Sequence, residues 1–241
     1  MTGSTLDPQV QAQRDYYTRT AEHYEAMHVG HMDEHQIALS AFAGMAQMIG
    51  AGSVLDVGAG TGRAVRLLEQ HLPEARIVGV EPVDALRAVG HASGIAPEQL
   101  VPGDAMALPF PDKSFDFVIE TAVLHHVADP AAAVREMVRV ARKCVLISDS
   151  NKFGQGSTAV RWAKQMIGAL GLWRPLIWLS TGGKMAKWSE GDGVYFSYSV
   201  FDTMNEISGT FPRHIWLTSA SIIGTDLKRG TTNVAVLALP A

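Results

Sequence analysis

An open, mostly parallel α/β sheet with helices on both faces is the fold this sequence predicts, on three observations. The run Val54-Leu55-Asp56-Val57-Gly58-Ala59-Gly60-Thr61-Gly62 is an apolar strand passing straight into a glycine-rich turn. Further β-branched runs follow at helix-length intervals, and those at 77–81, 114–120 and 144–149 each end in an acid. The 241 residues are 47% hydrophobic, enough for a continuous core in one α/β domain spanning 1–241.

Taken in order, Asp7-Pro8 opens a helix over about 9–27, followed by a histidine-rich bend and a second helix over about 33–49. Ile37, Ala41, Met45 and Met48 share one face of the second helix, which Gly50-Ala51-Gly52 stops. The glycines at 58, 60 and 62 then leave bare N–H groups near the start of a helix over about 61–70, a place for a nucleotide-like cofactor. A dinucleotide fingerprint would put its third glycine at position 63, which is Arg63, and its pyrophosphate would be repelled by Asp56. A nicotinamide oxidoreductase is therefore the weaker reading. S-adenosylmethionine carries an ammonium and a sulfonium and would accept that carboxylate.

The second strand, Ile77-Val78-Gly79-Val80-Glu81-Pro82, puts Glu81 where a ribose diol would lie. Gly103-Asp104-Ala105 closes a third strand, with Asp104 able to accept from an adenine amino group. A fourth strand covers 114–120 and a fifth 144–149. Between them come Thr121 and the paired His125 and His126. Asp129-Pro130 then caps the next helix, so the two histidines sit at the carboxyl edge, where open α/β sheets bind ligands.

The segments LDVGAGTG, GVEP, GDAMALPFPDKSFDFVIE and LHHV together resemble the class I S-adenosylmethionine-dependent methyltransferases of the small-molecule type, over residues 15–150. That resemblance implies a Rossmann-like, seven-stranded mixed sheet with the last strand antiparallel, strands six and seven lying at 213–218 and 233–239 after a helix over 199–208. It implies cofactor contacts from Asp56, Gly58, Ala59, Gly60, Glu81, Pro82, Asp104, Ala105, Met106 and Thr121. The phrase YYTRTAEHYEAM resembles the amino-terminal lid of these enzymes, which makes residues 1–50 a lid, with Tyr24 over the cofactor ahead of Tyr16 and Tyr17. Residues 51–149 would be the cofactor-binding core. Among sugar and natural-product O-methyltransferases, His125 or His126 would be the base for a hydroxyl acceptor, with Asp149 as partner or substrate anchor. Nitrogen and carbon acceptors, and a non-catalytic cofactor-binding protein, are the alternatives.

Residues 150–198 are too long for a crossover loop and form an insertion on the substrate side. Trp162, Trp173, Trp178 and Trp188 suit a wall over the acceptor. The apolar stretch 161–180 is interrupted by Lys164, Arg174 and Pro175, so it does not span a bilayer. A lid or a homodimer contact is its expected role, an interfacial helix reaching a lipid-linked substrate the alternative. Thr181-Gly182-Gly183-Lys184 lacks the full phosphate-loop spacing.

His28, His31 and His35 beside Asp33 and Glu34 lack a fixed metal motif and read as ordinary helix capping and substrate-facing groups, so no metal is expected. The single cysteine, Cys144, falls inside a strand and reads as an inert core thiol. Net charge −4 disfavours nucleic acid as partner. Without a basic-then-apolar leader the expected location is the cytoplasm.

Overall fold

The structure, a computed structural model, describes residues 7–28, 34–218 and 226–241. His31 and Asp33, named above as candidate site residues, lie outside them. Helix α1 (Pro8–Thr20) starts where the Asp7 carboxylate accepts the Gln9 N–H at 2.7 Å, with proline in the first turn. A 3-10 turn over Ala21–His23 breaks the single helix expected here, and α2 (Tyr24–His28) follows it. Helix α3 (Glu34–Ile49) ends at Gly50, whose φ of +71° is the left-handed cap that glycine adopts without strain.

The face that α3 buries is not the one its large aliphatics mark. Ala38, Leu39, Phe42, Ala43 and Ala46 are buried, whereas Met48 is 88% exposed and Ala41 is exposed. Alanines on that stripe let the helix approach the sheet closely, with Phe42 packed edge-on to Phe117 at 5.7 Å.

The α/β repeat then runs β1 (Ser53–Val57), α4 (Arg63–His71), β2 (Arg76–Val80), α5 (Asp84–Ala92), β3 (Leu100–Val101), β4 (Phe115–Thr121), α6 (Pro130–Val140) and β5 (Ala141–Ser150). Next come α7 (Thr158–Ala169), α8 (Trp173–Ser180), a hairpin of β6 (Ala186–Ser189) and β7 (Gly193–Phe196), α9 (Met204–Ser208), β8 (Arg213–Leu217), α10 (Leu227–Gly230) and β9 (Asn233–Leu239). The main sheet has seven strands in the order β3-β2-β1-β4-β5-β9-β8. Strands β1 to β5 pair in parallel and β9 is antiparallel to both β5 and β8. This is the predicted sheet, with the β6–β7 hairpin standing apart from it.

Both faces are covered, which is why the central strands read as unbroken apolar runs. Leu39, Phe42, Val54, Val65, Leu68, Ile119 and Leu146 form one core layer; Leu55, Val57, Val118, Met137, Val145 and Ile147 form the other. The third strand is shorter than expected. It ends at Val101, and Asp104 makes only an isolated bridge to Ala107, so the 103–105 turn leaves the sheet before the edge. Cys144 is buried within β5 and burial pushes its thiol up, as an inert core residue requires.

Candidate functional site at the carboxyl edge

The glycine turn after β1 is closed on itself. Gly58 and Ala59 both donate to the Val80 carbonyl, at 2.8 and 3.0 Å, Gly62 donates to Ala59, and Gly60 donates to Oε2 of Glu81 at 3.0 Å. The bare N–H groups expected from the sequence are therefore already satisfied. What the glycines supply is backbone shape and close approach. Gly58 sits at φ +74°, and a Cβ there would lie 2.5 Å from a Val123 methyl. Gly60, at φ +55°, receives the Tyr24 ring on its open side.

Two cavities meet over this turn. The smaller, about 110 Å³, is lined by Glu81, Pro82, Asp104, Ala105 and Met106 with Arg14 of α1. The larger, about 590 Å³, is lined by Asp56, Ala59, Thr121, His125 and residues of the 150–198 insertion, among them Lys152 and Trp173. Tyr17, Tyr24, Gly58, Ala122 and His126 line both. The structure thus gathers the sequence-marked residues around one continuous edge, except that Gly60 lies beneath Tyr24 and Asp149 is fully buried behind His125. Ala122 is held at φ +62°, a strained conformation for a residue with a Cβ, at the point where the chain leaves β4 for the histidines.

Burial dominates the acids of the cofactor side. It raises Asp56 to about 7, against the pull of Arg63 and with help from Glu81. It raises Glu81 to about 7 as well, despite hydrogen bonds from Val83 and Gly60. Asp104 differs from expectation: its Oδ2 is ion-paired with Arg14 at 2.7 Å and its Oδ1 accepts the Met106 N–H at 2.9 Å. Each of its oxygens thus has one partner, from the lid helix and from its own turn, and keeps a further lone pair.

The histidines sit in a 3-10 turn over Leu124–His126 and have divergent surroundings. His125 Nδ1 lies 2.7 Å from Oδ1 of Asp149, while Oδ2 accepts the Leu124 and His125 N–H groups at 2.7 and 3.3 Å. Its Nε2 faces Oδ2 of Asp192 at 3.6 Å. Burial disfavours the imidazolium, yet the Asp149 and Asp192 carboxylates outweigh it and lift His125 to about 10. Burial raises and His125 lowers Asp149, with a net fall to about 2. Next to this pair Glu120 is fully buried, its pKa raised by burial and then by Asp149.

His126 does something else. Its Nδ1 contacts the Val194 carbonyl at 2.7 Å and Gln13 at 3.1 Å, and its Nε2 contacts the Tyr17 hydroxyl at 3.0 Å and Asp192 at 3.3 Å. Burial and the neighbouring His125 lower its pKa. It is a junction between α1, the loop after β4 and the hairpin. The clasp continues where Tyr16 donates to the Glu190 carbonyl at 2.9 Å and Gln13 accepts from Val194 N–H at 2.5 Å.

Asp192 was missed as a site residue by sequence reasoning, because it lies 66 residues from His126 in a Glu-Gly-Asp-Gly turn that reads as a loop. Among the described residues, His125, His126 and Asp192 are the grouping that brings metal-ligating atoms together, within 4.8 Å. The histidine-rich segment 28–35 has no such grouping among its described residues. His28 and His35 line the larger cavity instead, His35 against the Ser148 hydroxyl at 3.0 Å. Of the four insertion tryptophans, only Trp173 faces that cavity; Trp162, Trp178 and Trp188 are each more than half exposed. The aromatic wall is built from Trp173, whose indole donates to the Ser197 hydroxyl at 3.0 Å, with Tyr195, Phe196 and Tyr198 in place of the other three tryptophans.

Comparison with known proteins agrees with this architecture. Residues 55–146 match the family described as Methyltransferase domain. A demethylmenaquinone methyltransferase of Roseiflexus castenholzii is 44% identical over 93 residues, 38% of this chain and 39% of that one. A ubiquinone/menaquinone biosynthesis C-methyltransferase of Xanthomonas campestris is 32% identical over 133 residues, 52% of this chain and 53% of that one. The chain thus spans about two fifths to half the length of these relatives. Magnesium protoporphyrin IX methyltransferase of Synechocystis, solved with bound S-adenosylhomocysteine, superposes over 97% of this chain and 100% of its own with a TM-score of 0.60 at 16% identity. A possible histamine N-methyltransferase of Thermotoga maritima gives 0.60 at 17% identity over 94% and 99%. Residues 55–146 thus carry a methyltransferase domain, and the seven-stranded sheet has the fold of solved S-adenosylmethionine-dependent methyltransferases.

Proposed function

We propose that this chain transfers a methyl group from S-adenosylmethionine to a small polar acceptor, with a hydroxyl on a sugar or natural product as the first candidate. The observation that carries the reading is the continuous edge formed by the two cavities, acidic at the cofactor end and bearing an Asp149–His125 pair at the acceptor end. The cofactor fits the residues present: buried carboxylates whose pKa values are raised in the empty protein gain a cationic partner. Glu81, Pro82, Asp104, Ala105 and Met106 would hold the adenosyl part, and Asp56, Gly58, Ala59, Gly60 and Thr121 the methionyl part, under Tyr24. Asp104 would share its carboxylate between Arg14 and the adenine amino group. When bound, the cofactor supplies an electrophilic methyl on a sulfonium.

The chain's own residues do the rest. Methyl transfer is an in-line displacement, so the cavity walls contribute alignment and exclusion of water. The acceptor's proton goes to His125, oriented by Asp149, while His126 holds lid and hairpin together rather than meeting the acceptor. This reading takes residues 1–241 as one methyltransferase domain, with 1–50 as lid, 51–149 as cofactor core, 150–198 as substrate-side insertion and 199–241 completing the sheet. A carbon acceptor is the second reading, favoured by the relative described as a ubiquinone/menaquinone biosynthesis C-methyltransferase. Among the described residues no helix is long and apolar enough to cross a membrane.

Incubation with methyl-labelled S-adenosylmethionine and panels of hydroxyl, amine and enol or quinol acceptors tests the proposal. A methoxy product supports the first reading and a C-methyl product the second. No cofactor binding by calorimetry would remove both. Because His125 is lifted to about 10, the rate on a hydroxyl acceptor should climb with pH across the neutral range, as the imidazolium gives way to the base.

Cofactor affinity should have its own pH dependence. Asp56 and Glu81 titrate near 7 and a cation favours their ionised forms, so affinity rises by up to about tenfold in all between pH 6 and 8 for each group. The rise should be steeper for S-adenosylmethionine than for S-adenosylhomocysteine, which lacks the sulfonium charge. Equal slopes in calorimetric titrations would separate these acids from the sulfonium. The stability of the empty protein runs the other way. Raised carboxyl pKa values stabilise it below about pH 4, and that contribution is lost as pH climbs through about 7.

A further inference from the structure

The insertion differs from the rest of the chain in charge and in burial. From Ser150 to Ser189 there are forty residues with no Asp or Glu and six cations: Lys152, Arg161, Lys164, Arg174, Lys184 and Lys187. The remaining residues hold 14 of the 20 Lys and Arg against all 24 acids, a balance of −10. Among the described residues, Arg174, Lys184 and Lys187 are exposed and form no ion pair with an acid.

Helix α7 buries none of its twelve residues, and α8 buries only Ile177. Trp162 and Met166 on α7, with Leu170 just beyond it, recur at helical spacing and are 53, 63 and 69% exposed. Leu172, at the start of α8, and Leu176 and Leu179 on it repeat the pattern at 51, 42 and 70%. A protein of this size does not normally leave so many large apolar side chains together in water. The opposite side of the same insertion is turned inward: Trp173, Ile177, Lys164 and Lys187 line the larger cavity.

We propose that α7 and α8 dock on a membrane surface bearing anionic phospholipids, and that the acceptor is an amphiphile drawn from that surface into the larger cavity. Apolar side chains flanked by unpaired cations, without a spanning helix, are what an interfacial helix pair requires. A second copy of the chain is the poorer occupant. A two-fold contact sets a patch against itself, so the exposed Arg174 and Lys184 would meet their own copies with no acid from residues 150–189 to offset them. The substrate part of this inference rests on the methyltransferase reading; the docking part does not.

The test uses the full chain, sedimented with vesicles of phosphatidylcholine alone or mixed with phosphatidylglycerol. Binding should need the anionic lipid, weaken at high salt, and fall more than tenfold in a Met166→Glu, Leu179→Glu double variant whose S-adenosylhomocysteine affinity is unchanged. Both positions are mostly exposed, so the fold is expected to tolerate the change. Failure to sediment with anionic vesicles, or equal binding by the double variant, overturns the proposal. A dimer in sedimentation velocity that the same variant dissolves, without vesicle binding, assigns the face to a second copy instead. Vesicle binding by a protein that binds no cofactor would keep the surface and remove the methyltransferase reading. Cofactor binding and turnover without vesicle binding would do the opposite.

Discussion

Replacing Asp149 by asparagine is expected to lower kcat/KM by about two to four orders of magnitude, the range over which a positioned general base contributes. The affinity for S-adenosylhomocysteine should stay within about threefold, because Asp149 is fully buried behind His125 and lines neither cavity. The carboxylate accepts four hydrogen bonds, from the Leu124, His125 and Ser150 N–H groups and from His125 Nδ1. An amide cannot replace it. Whichever way the substituted amide is turned, its NH2 meets an N–H donor, or forces His125 into the other tautomer with its proton on the wrong nitrogen. Loss of the negative charge also lowers the His125 pKa, so the residual activity should reach its plateau at lower pH than in the parent protein. A stability cost of about 1–3 kcal/mol should accompany the change, which thermal unfolding would register separately. Unchanged kcat/KM in a folded, cofactor-binding variant would remove the Asp149–His125 pair from the mechanism.

Replacing Glu81 by alanine is expected to weaken S-adenosylhomocysteine binding by about 10- to 100-fold, the worth of one hydrogen bond to a charged group. Two effects add. The proposed ribose partner disappears, and the Gly60 and Val83 N–H groups lose the acceptor they share. Glu81→Gln tells the effects apart, since its oxygen can still serve one of those donors while the charge is gone. Because Glu81 titrates near 7, the parent protein at pH 6 already resembles the glutamine variant. The affinity gap between the two should therefore narrow below pH 7 and widen above it, measured by calorimetry at several pH values. A gap that does not vary with pH would mean that Glu81 acts through the shape of the turn alone.

Strands β1, β2, β4 and β5 were legible because each is buried on both faces and writes itself as an apolar run, with an acid or a glycine turn where it reaches the edge. Asp129-Pro130 marked the α6 cap for the same local reason, and Asp129 accepts the Ala132 N–H at 3.0 Å. Misreadings came where the deciding partner is remote in sequence. Ile37, Ala41, Met45 and Met48 share one stripe of α3, but the sheet selects the side of Leu39 and Phe42, whose neighbouring alanines let the helix come closest. The N–H groups of Gly58, Gly60 and Gly62 are not free because Val80 and Glu81, on the neighbouring strand and its edge, and Ala59 within the turn had already claimed them.

By itself the sequence determined that there is a carboxyl edge, that Asp56, Glu81 and Asp104 stand on it, and that two histidines follow the fourth strand. Those are local matters, set by periodicity and turn chemistry within some ten residues of chain. Only the tertiary structure decided which histidine pairs with Asp149 and which clasps the first helix to the hairpin, since Asp149, Asp192, Gln13 and Tyr17 come from separate segments of the chain. It likewise decided that most of the insertion's apolar side chains turn outward. Side-chain identity states what a residue could contact; burial and the direction of approach, which depend on the whole packed chain, choose among those contacts.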